Sequence, residues 1–287
     1  MSESLFTITQ TLQYGAQLLL HSDSAKLDCE LLLLKVLNAS EHTHYSRTWL
    51  ITWPETLLTQ QQRQQFLDYL QLRSEGMPIA YITGEQDFWT LTLKVSPATL
   101  IPRPETELLV ECALEKIPDS GSQKVLDLGT GSGAIALAIA SERNNGQVVA
   151  SDLSQQALSI AQENALNSQI NNVSFYQSSW FNNIPAQLFD IIVSNPPYIA
   201  YDDPLLEENV KKYEPLTALH SEDNGLHDTH EIIKQAHHYL KKNGWLMFEH
   251  GYNQAEAVQA LLQQYGFSQI STLKDLNQQP RVTMAQY

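Results

Sequence analysis

Between residues 124 and 287 short apolar runs alternate with helical stretches, and that rhythm leaves few folds open. Residues 124–128, 147–151, 173–176, 190–193, 245–249, 267–273 and 282–287 read as strands. Residues 132–142, 154–167, 230–240 and 254–265 carry apolar side chains at helical spacing. Strands separated by helices pair in parallel, so the pattern predicts an α/β domain: a doubly wound, mainly parallel sheet with helices on both faces. The last two strands follow each other without a long helix, which predicts that one of them is antiparallel.

The first 80 residues differ. Helical spacing covers 7–20, 24–38 and 59–74, with Ser24 and Thr59 as N-caps and Gly76 with Pro78 as a stop. Residues 85–95 interleave Phe88, Trp89, Leu91, Leu93 and Val95 with polar residues, as a hairpin does. The expected division is a helical bundle over 1–80, a β-hairpin connector within 81–100 and the α/β domain over 101–287. Pro104, followed by acidic residues, starts a helix running to about Lys116.

Seventeen Lys and Arg stand against 32 Asp and Glu, a formal net charge of −15. That balance argues against a protein that wraps a nucleic acid backbone, where basic surface supplies most of the affinity. Cys29 and Cys112 lack metal-like spacing and read as buried thiols of a cytosolic protein. The segment Met1-Ser2-Glu3-Ser4-Leu5 has neither the basic start nor the apolar core of a signal peptide. The longest apolar run, 134–140, suits a buried helix and is too short to span a bilayer. A cytoplasmic protein without membrane contact is expected.

Three features carry chemistry. Gly129-Thr130-Gly131-Ser132-Gly133 joins the first strand of the α/β region to its helix, where glycines let backbone approach a ligand and the helix N-terminus favours negative charge. Gly131-x-Gly133-x-x-Ala136 also satisfies the relaxed dinucleotide fingerprint, so this turn alone does not separate NAD from S-adenosylmethionine. Asp152 ends the second strand, where an acid binds ribose hydroxyls of either cofactor. The deciding feature is Asn195-Pro196-Pro197-Tyr198, after the apolar run 190–194. Its prolines fix φ and remove N–H donors. The Asn195 side-chain carbonyl and the Pro196 backbone carbonyl are placed to accept both hydrogens of a planar nitrogen, with the Tyr198 ring over one face. Such a loop supplies no acid or base for hydride chemistry, but it orients an N–H nucleophile towards a methyl donor. An ordinary Pro-Pro turn is the plain alternative. Together the three features point to S-adenosylmethionine-dependent methylation of nitrogen.

Further segments narrow the match. Residues 101–107 (Ile-Pro-Arg-Pro-Glu-Thr-Glu), 214–219 (Glu-Pro-Leu-Thr-Ala-Leu), 248–251 (Phe-Glu-His-Gly) and 281–284 (Arg-Val-Thr-Met) accompany the Asn-Pro-Pro-Tyr loop. With the helical N-terminal region, the chain resembles the release factor glutamine methyltransferases (the PrmC/HemK family) over essentially its whole length. The resemblance implies a seven-stranded, Rossmann-like class I methyltransferase domain. It implies S-adenosyl-L-methionine as cofactor and, as substrate, the glutamine of the Gly-Gly-Gln motif in class I peptide chain release factors. Carried over by position, Gly129 to Gly133, Asp152, Trp180 and Asn195 contact the cofactor, while Asn195, Pro196, Pro197 and Tyr198 hold the glutamine; Asn195, Pro196 and Tyr198 form the catalytic set. The helical region is expected to dock the protein substrate, and a monomer that binds no nucleic acid directly is expected.

The ribosomal protein glutamine methyltransferases share the loop, but typically carry Ser-Pro-Ile after Ile-Pro-Arg, where this chain has Pro104-Glu105-Thr106. Nucleic acid amino-methyltransferases also use this loop, and the acidic balance counts against them. A non-catalytic cofactor-binding regulator is a further alternative. One departure stands out: the family often has Asp before Trp-Phe, a residue able to bind the adenine amino group, and here that position is Ser179.

Other candidates have plainer readings. Tyr198 is a stacking wall, since a phenol is protonated at neutral pH. Glu249 and His250 invite a catalytic pair, and the plainer reading preferred here is a strand end near the ligand edge. His42 and His44 lack a third metal ligand, and no metal is expected. Arg103 either binds the cofactor carboxylate or anchors its loop. Glu105, Thr106 and Glu107 most simply cap and start a helix; the resemblance also implies that they wall the cofactor pocket.

Overall fold

The computed structural model describes residues 6–20, 22–39, 44–118, 121–204 and 206–287. The chain falls into two compact units, Met1–Gly84 and Glu85–Tyr287.

The first unit is helical: α1 Ile8–Leu18, α2 Ala25–Leu37, α3 Arg47–Thr52, α4 Gln60–Ser74 and α5 Ile79–Thr83. Thr7 and Thr59 each form a reciprocal capping box, with Gln10 and Gln62 respectively, which satisfies donors that a helix start leaves orphaned. Ser24 does not cap α2 as expected. Its hydroxyl donates to Asp28 Oδ1 instead (2.9 Å), because buried Asp28 needs donors and also draws Arg73 (2.8 Å). Cys29, Leu32, Leu33, Phe66 and Leu70 fill the core. Gly15 lets α1 approach it closely: a Cβ there would lie 2.8 Å from Cys29 Sγ and 2.9 Å from Phe66 Cζ.

The second unit opens with the antiparallel hairpin β1 Glu85–Phe88 and β2 Leu91–Lys94. A 3₁₀ turn, Pro104–Thr106, then leads into α6 Glu107–Glu115. The alternation follows as β3 Lys124–Leu128, α7 Ala134–Glu142, β4 Gln147–Asp152, α8 Gln155–Asn167, β5 Val173–Gln177 and β6 Phe189–Ser194. The short helices α9 Glu208–Tyr213 and α10 Glu222–Gly225 precede α11 His227–Ala236, β7 Leu240–Glu249, α12 Ala255–Gln264, β8 Ser268–Lys274 and β9 Pro280–Gln286.

The seven strands lie in the order β5-β4-β3-β6-β7-β9-β8. Neighbours from β5 to β7 are parallel, and β9 is antiparallel to both β7 and β8, as expected of one terminal strand. Both faces are covered. Val125, Val148, Ile191, Val193 and Met247 pack with α6 and α7 on one side. Leu126, Leu128, Ile192, Leu246 and Phe248 pack with α11 and α12 on the other. Burial on both faces is why these strands read as unbroken apolar runs. Strand order reverses between β3 and β6, so a crevice opens outside their carboxyl ends, the usual ligand site of such sheets.

Several boundaries shift, among them the start of β7, expected at 245 and found at Leu240. The helix expected over 230–240 runs from His227 to Ala236. The chain then turns, and the Phe189 N–H donates to the Tyr239 carbonyl (2.8 Å), drawing residue 240 into the sheet. The helix expected from 132 starts at Ala134 because Gly133 adopts φ +88°. Cys29 and Cys112 are buried thiols; burial pushes them up to about 11 and about 12. Among the described residues no helix is long and apolar enough to cross a membrane.

Candidate active site

The glycine turn is shaped by backbone bonds. Gly129 and Thr130 N–H groups both donate to the Ser151 carbonyl (2.9 and 2.8 Å), tying the end of β3 to that of β4. Gly129, Gly131 and Gly133 all have positive φ. Gly131 faces open space, since a Cβ there would meet nothing within 4 Å, while one on Gly133 would press Leu137 and Ala161 at 3.0 and 3.2 Å.

Asp152 belongs to the same constellation. Its Oδ2 accepts from the Gly131 N–H and its Oδ1 from the Ser154 N–H, both at 2.8 Å. Burial pushes this carboxyl up, opposed by those backbone donors. Ser154, not Asp152, caps α8, accepting from Ala157 N–H. Buried Asp127, which sequence reasoning gave no role, accepts the Thr130 hydroxyl (2.6 Å) and braces the turn from beneath. Burial lifts its carboxyl to about 7 against the Thr130 hydrogen bond. Trp180, at φ +47°, lies over the turn, its ring 3.6 Å from where a Gly129 Cβ would stand. Ser178 holds it there by donating to the Trp180 carbonyl (2.8 Å). Ser179 itself is exposed.

Asn195 follows β6, one strand over from Gly129. The two strand ends are locked together by the buried Ser194 hydroxyl, which donates to the Leu128 carbonyl (2.7 Å). The Asn195 Nδ2 donates to Thr106 Oγ1 (3.3 Å), so Thr106 serves this loop rather than capping α6. Among the described residues no donor engages the Pro196 carbonyl. Tyr198 donates its phenol to Glu249 Oε1 (3.3 Å), and burial raises it further above its usual range. Asn195, Pro196 and Tyr198 line a cavity of about 290 Å³ together with Leu100, Arg103 and Glu249. Pro197, between Pro196 and Tyr198, is half-buried and fixes the backbone φ of the loop.

Arg103 anchors its loop and also lines the cavity beside Asn195. It pairs with Glu214, whose side chain is almost fully buried and whose other oxygen accepts the Ile101 N–H (3.2 Å). The segment after Leu100 is thereby anchored to the one that enters the Leu216–Ala218 turn. Arg103→Ala leaves a buried carboxylate with one donor, and a stability loss of about 1–3 kcal/mol is expected in urea unfolding.

His250 is fully buried, with Nδ1 2.9 Å from the Gly251 carbonyl and Nε2 2.8 Å from the Thr283 hydroxyl. A carbonyl only accepts, so Nδ1 carries the proton, and burial lowers the ring's affinity for a second one. It is a strand-end brace, as the sequence suggested. His44 is exposed and His42 lies outside the described residues.

The chain that carries this arrangement is similar to known proteins. A family model described as methyltransferase domain matches residues 119–282, and one described as PrmC N-terminal domain matches residues 10–84. The release factor glutamine methyltransferase of Shewanella oneidensis is 43% identical over 281 residues, covering 98% of this chain and 96% of that one. That of Salmonella typhimurium is 46% identical over 266 residues, covering 93% and 94%. The chain belongs to the release factor glutamine methyltransferase family. A solved ribosomal protein L11 methylase from Lactobacillus delbrueckii superposes with a TM-score of 0.50 at 21% identity, covering 68% of this chain and 84% of that one, and shares the fold.

In this member of the release factor glutamine methyltransferase family, sequence reasoning missed that Thr106 bonds Asn195, Glu214 pairs with Arg103 and Glu249 bonds Tyr198. Each lies in a motif quoted above. The missing signal was spatial, since their partners sit 89, 111 and 51 residues away.

Proposed function

We propose that the protein transfers a methyl group from S-adenosylmethionine to the side-chain amide nitrogen of the glutamine in the Gly-Gly-Gln motif of class I release factors. The observation that carries this is the Asn195-Pro196-Pro197-Tyr198 loop, which lines a cavity and offers two acceptors, the Asn195 and Pro196 oxygens, to one NH₂ group.

The residues fit an adenosine-bearing cofactor. Gly131 leaves open space for one, and Asp152 stands beside it to bind ribose hydroxyls. Gly129, Thr130, Ser132 and Gly133 complete the cradle, Trp180 walls it, and Asn195 borders it. Exposed Ser179 leaves adenine recognition to other groups. When bound, S-adenosylmethionine supplies an activated methyl group.

The chain's own task is alignment. A glutamine amide nitrogen is a poor nucleophile because its lone pair is delocalised into the carbonyl. Asn195 and the Pro196 carbonyl accept its two hydrogens, fixing the plane of the amide and raising electron density on nitrogen as positive charge develops. Tyr198 covers one face, and the surplus proton passes to water. The helical unit docks the release factor. The protein acts in the cytoplasm as a monomer without direct nucleic acid contact, in keeping with its net charge of −15.

Calorimetric titration tests the cofactor half and methyl incorporation the substrate half. S-adenosylmethionine is expected to bind while NAD does not. Labelled methyl groups are expected to enter a purified release factor and not ribosomal protein or RNA. Label in either of the latter contradicts the assignment.

A further inference from the structure

A primary amide has two ends to satisfy. The Asn195 and Pro196 oxygens take the hydrogens of its NH₂, but its carbonyl oxygen also needs a partner once water is expelled, because a buried unpaired acceptor is costly. Most of the cavity wall offers none: Leu100, Ile199, Leu206, Val210 and Leu219 are apolar. The donors that line it are engaged within the protein. Asn195 Nδ2 donates to Thr106, the Tyr198 phenol to Glu249 and the Arg103 guanidinium to Glu214.

Glu249 is the exception. It ends β7, and Phe248 stands opposite Ser194 in the parallel β6–β7 register. Glu249 and Asn195 therefore leave neighbouring strands side by side, about 5 Å apart. Glu249 lines the same cavity and is 1% exposed. Its Oε1 accepts the Tyr198 phenol at 3.3 Å, while its buried Oε2 has no hydrogen-bond partner among the described residues. Nor does any ion pair among the described residues reach it: Arg103 pairs with Glu214, and Arg281 lies 3.5 Å from Asp275. The charged and titratable groups around it are Tyr198 on the loop, Glu105 in the 3₁₀ turn, Arg281 on β9, and Arg103 and Glu207 on the cavity wall. The adjoining His250 has both ring nitrogens engaged. A carboxyl so deeply buried, with one phenol for a partner, keeps its proton; burial pushes it up from the usual carboxylate range. A neutral carboxyl has one O–H to give, and with Oε1 accepting from Tyr198 that donor is on Oε2.

We propose that Glu249 is a substrate-binding residue: its neutral carboxyl donates from Oε2 to the side-chain carbonyl oxygen of the target glutamine, completing a three-point grip on the amide with Asn195 and the Pro196 carbonyl. This rests on the glutamine-methylation function above. The bond holds the amide before and during transfer and gains nothing as positive charge develops on nitrogen. Its contribution therefore appears in Kd and KM and not in kcat.

The test is equilibrium binding of a release factor to the full-length chain loaded with S-adenosylhomocysteine, using Gly-Gly-Gln and Gly-Gly-Ala versions of the factor, for wild type, Glu249→Gln and Glu249→Met. Glu249→Met keeps the bulk without a donor. It is expected to weaken binding of the Gly-Gly-Gln factor about 5- to 100-fold, and that of the Gly-Gly-Ala factor by less than about threefold. Glu249→Gln keeps a neutral donor, and both its Kd values are expected within about threefold of wild type. In steady-state methylation Glu249→Met is expected to raise KM with kcat within about threefold of wild type. Raising the pH can only remove the Glu249 proton, and Gln does not titrate. Wild type is therefore expected to gain no affinity relative to Glu249→Gln from mildly acid to mildly alkaline buffer. A gain would mean that the carboxylate binds as an acceptor, and would overturn the proposal. Equal weakening of both factors by Glu249→Met, a Gly-Gly-Gln affinity within about threefold of wild type in that variant, or Glu249→Gln no better than Glu249→Met would overturn it too. Should Glu249→Met fail to fold, the pH comparison of wild type with Glu249→Gln decides alone. A wild type that transfers no methyl group to the release factor overturns the functional assignment and this proposal with it; an active wild type with indifferent variants overturns this proposal only.

Discussion

Asn195→Ala is expected to lower kcat by about a hundred- to a thousandfold while leaving the melting temperature near that of wild type. The magnitude is that of removing one preorganised hydrogen-bond partner from a developing charge. The fold is spared because Asn195 is only half-buried and, among the described residues, its side chain bonds only Thr106, at 3.3 Å. KM for the release factor should move little, since binding of a whole protein draws on surface far from one amide. Stopped-flow or steady-state methylation together with a thermal melt reads both quantities. Near-normal turnover would remove Asn195 from the chemistry and with it the alignment account.

Gly225→Ala should be nearly as damaging, although Gly225 touches no proposed ligand. Its φ is +85°, and a Cβ there would lie 2.1 Å from the Tyr198 carbonyl oxygen and 2.7 Å from Gln254 Nε2. Backbone cannot yield as a flexible side chain does. Gln254 Nε2 also bonds the Tyr198 carbonyl (3.0 Å) and the Asn224 carbonyl (3.1 Å), so the methyl group would strike the clamp holding the loop's last residue. Left-handed strain and overpacking together predict a stability loss of about 2–4 kcal/mol. An ångström of displacement at Tyr198 predicts a fall in kcat of about a hundredfold. Gly266→Ala is the control. It has the same sign of φ (+81°), but a Cβ there meets nothing within 4 Å. Only the backbone cost of about 1 kcal/mol should appear, with kcat unchanged. Equal effects at the two glycines would show that the clash does not reach the site.

The long periodic elements were legible in the sequence because burial on both faces imposes unbroken apolar strands, and a single buried face imposes helical spacing. The five-residue α5 and the six-residue α3 and α9 were not read, since little more than one turn carries no period. The positions of the glycine turn and Asp152 at adjacent strand ends were legible because residue type and strand rhythm together mark them. Arg103 was ambiguous for the opposite reason: a guanidinium serves a ligand or a carboxylate equally well. Only the fold brings Glu214, 111 residues on, to its side. Thr106 was read most simply as a helix cap, a common use next to acidic residues, and in the structure its oxygen accepts from the Asn195 amide instead. Ser24 was misread in the same way, because a buried acid took the hydroxyl that a helix start would otherwise claim.

The central claim is that the loop at the end of β6 presents one particular nitrogen for methylation. The most direct measurement is mass spectrometric location of the label after incubation with S-adenosylmethionine and a release factor, with a Gly-Gly-Ala version of that factor as control. The account predicts one methyl group on the amide nitrogen of the Gly-Gly-Gln glutamine, and none on the control. A methyl group elsewhere, or undiminished labelling of the control, would contradict it.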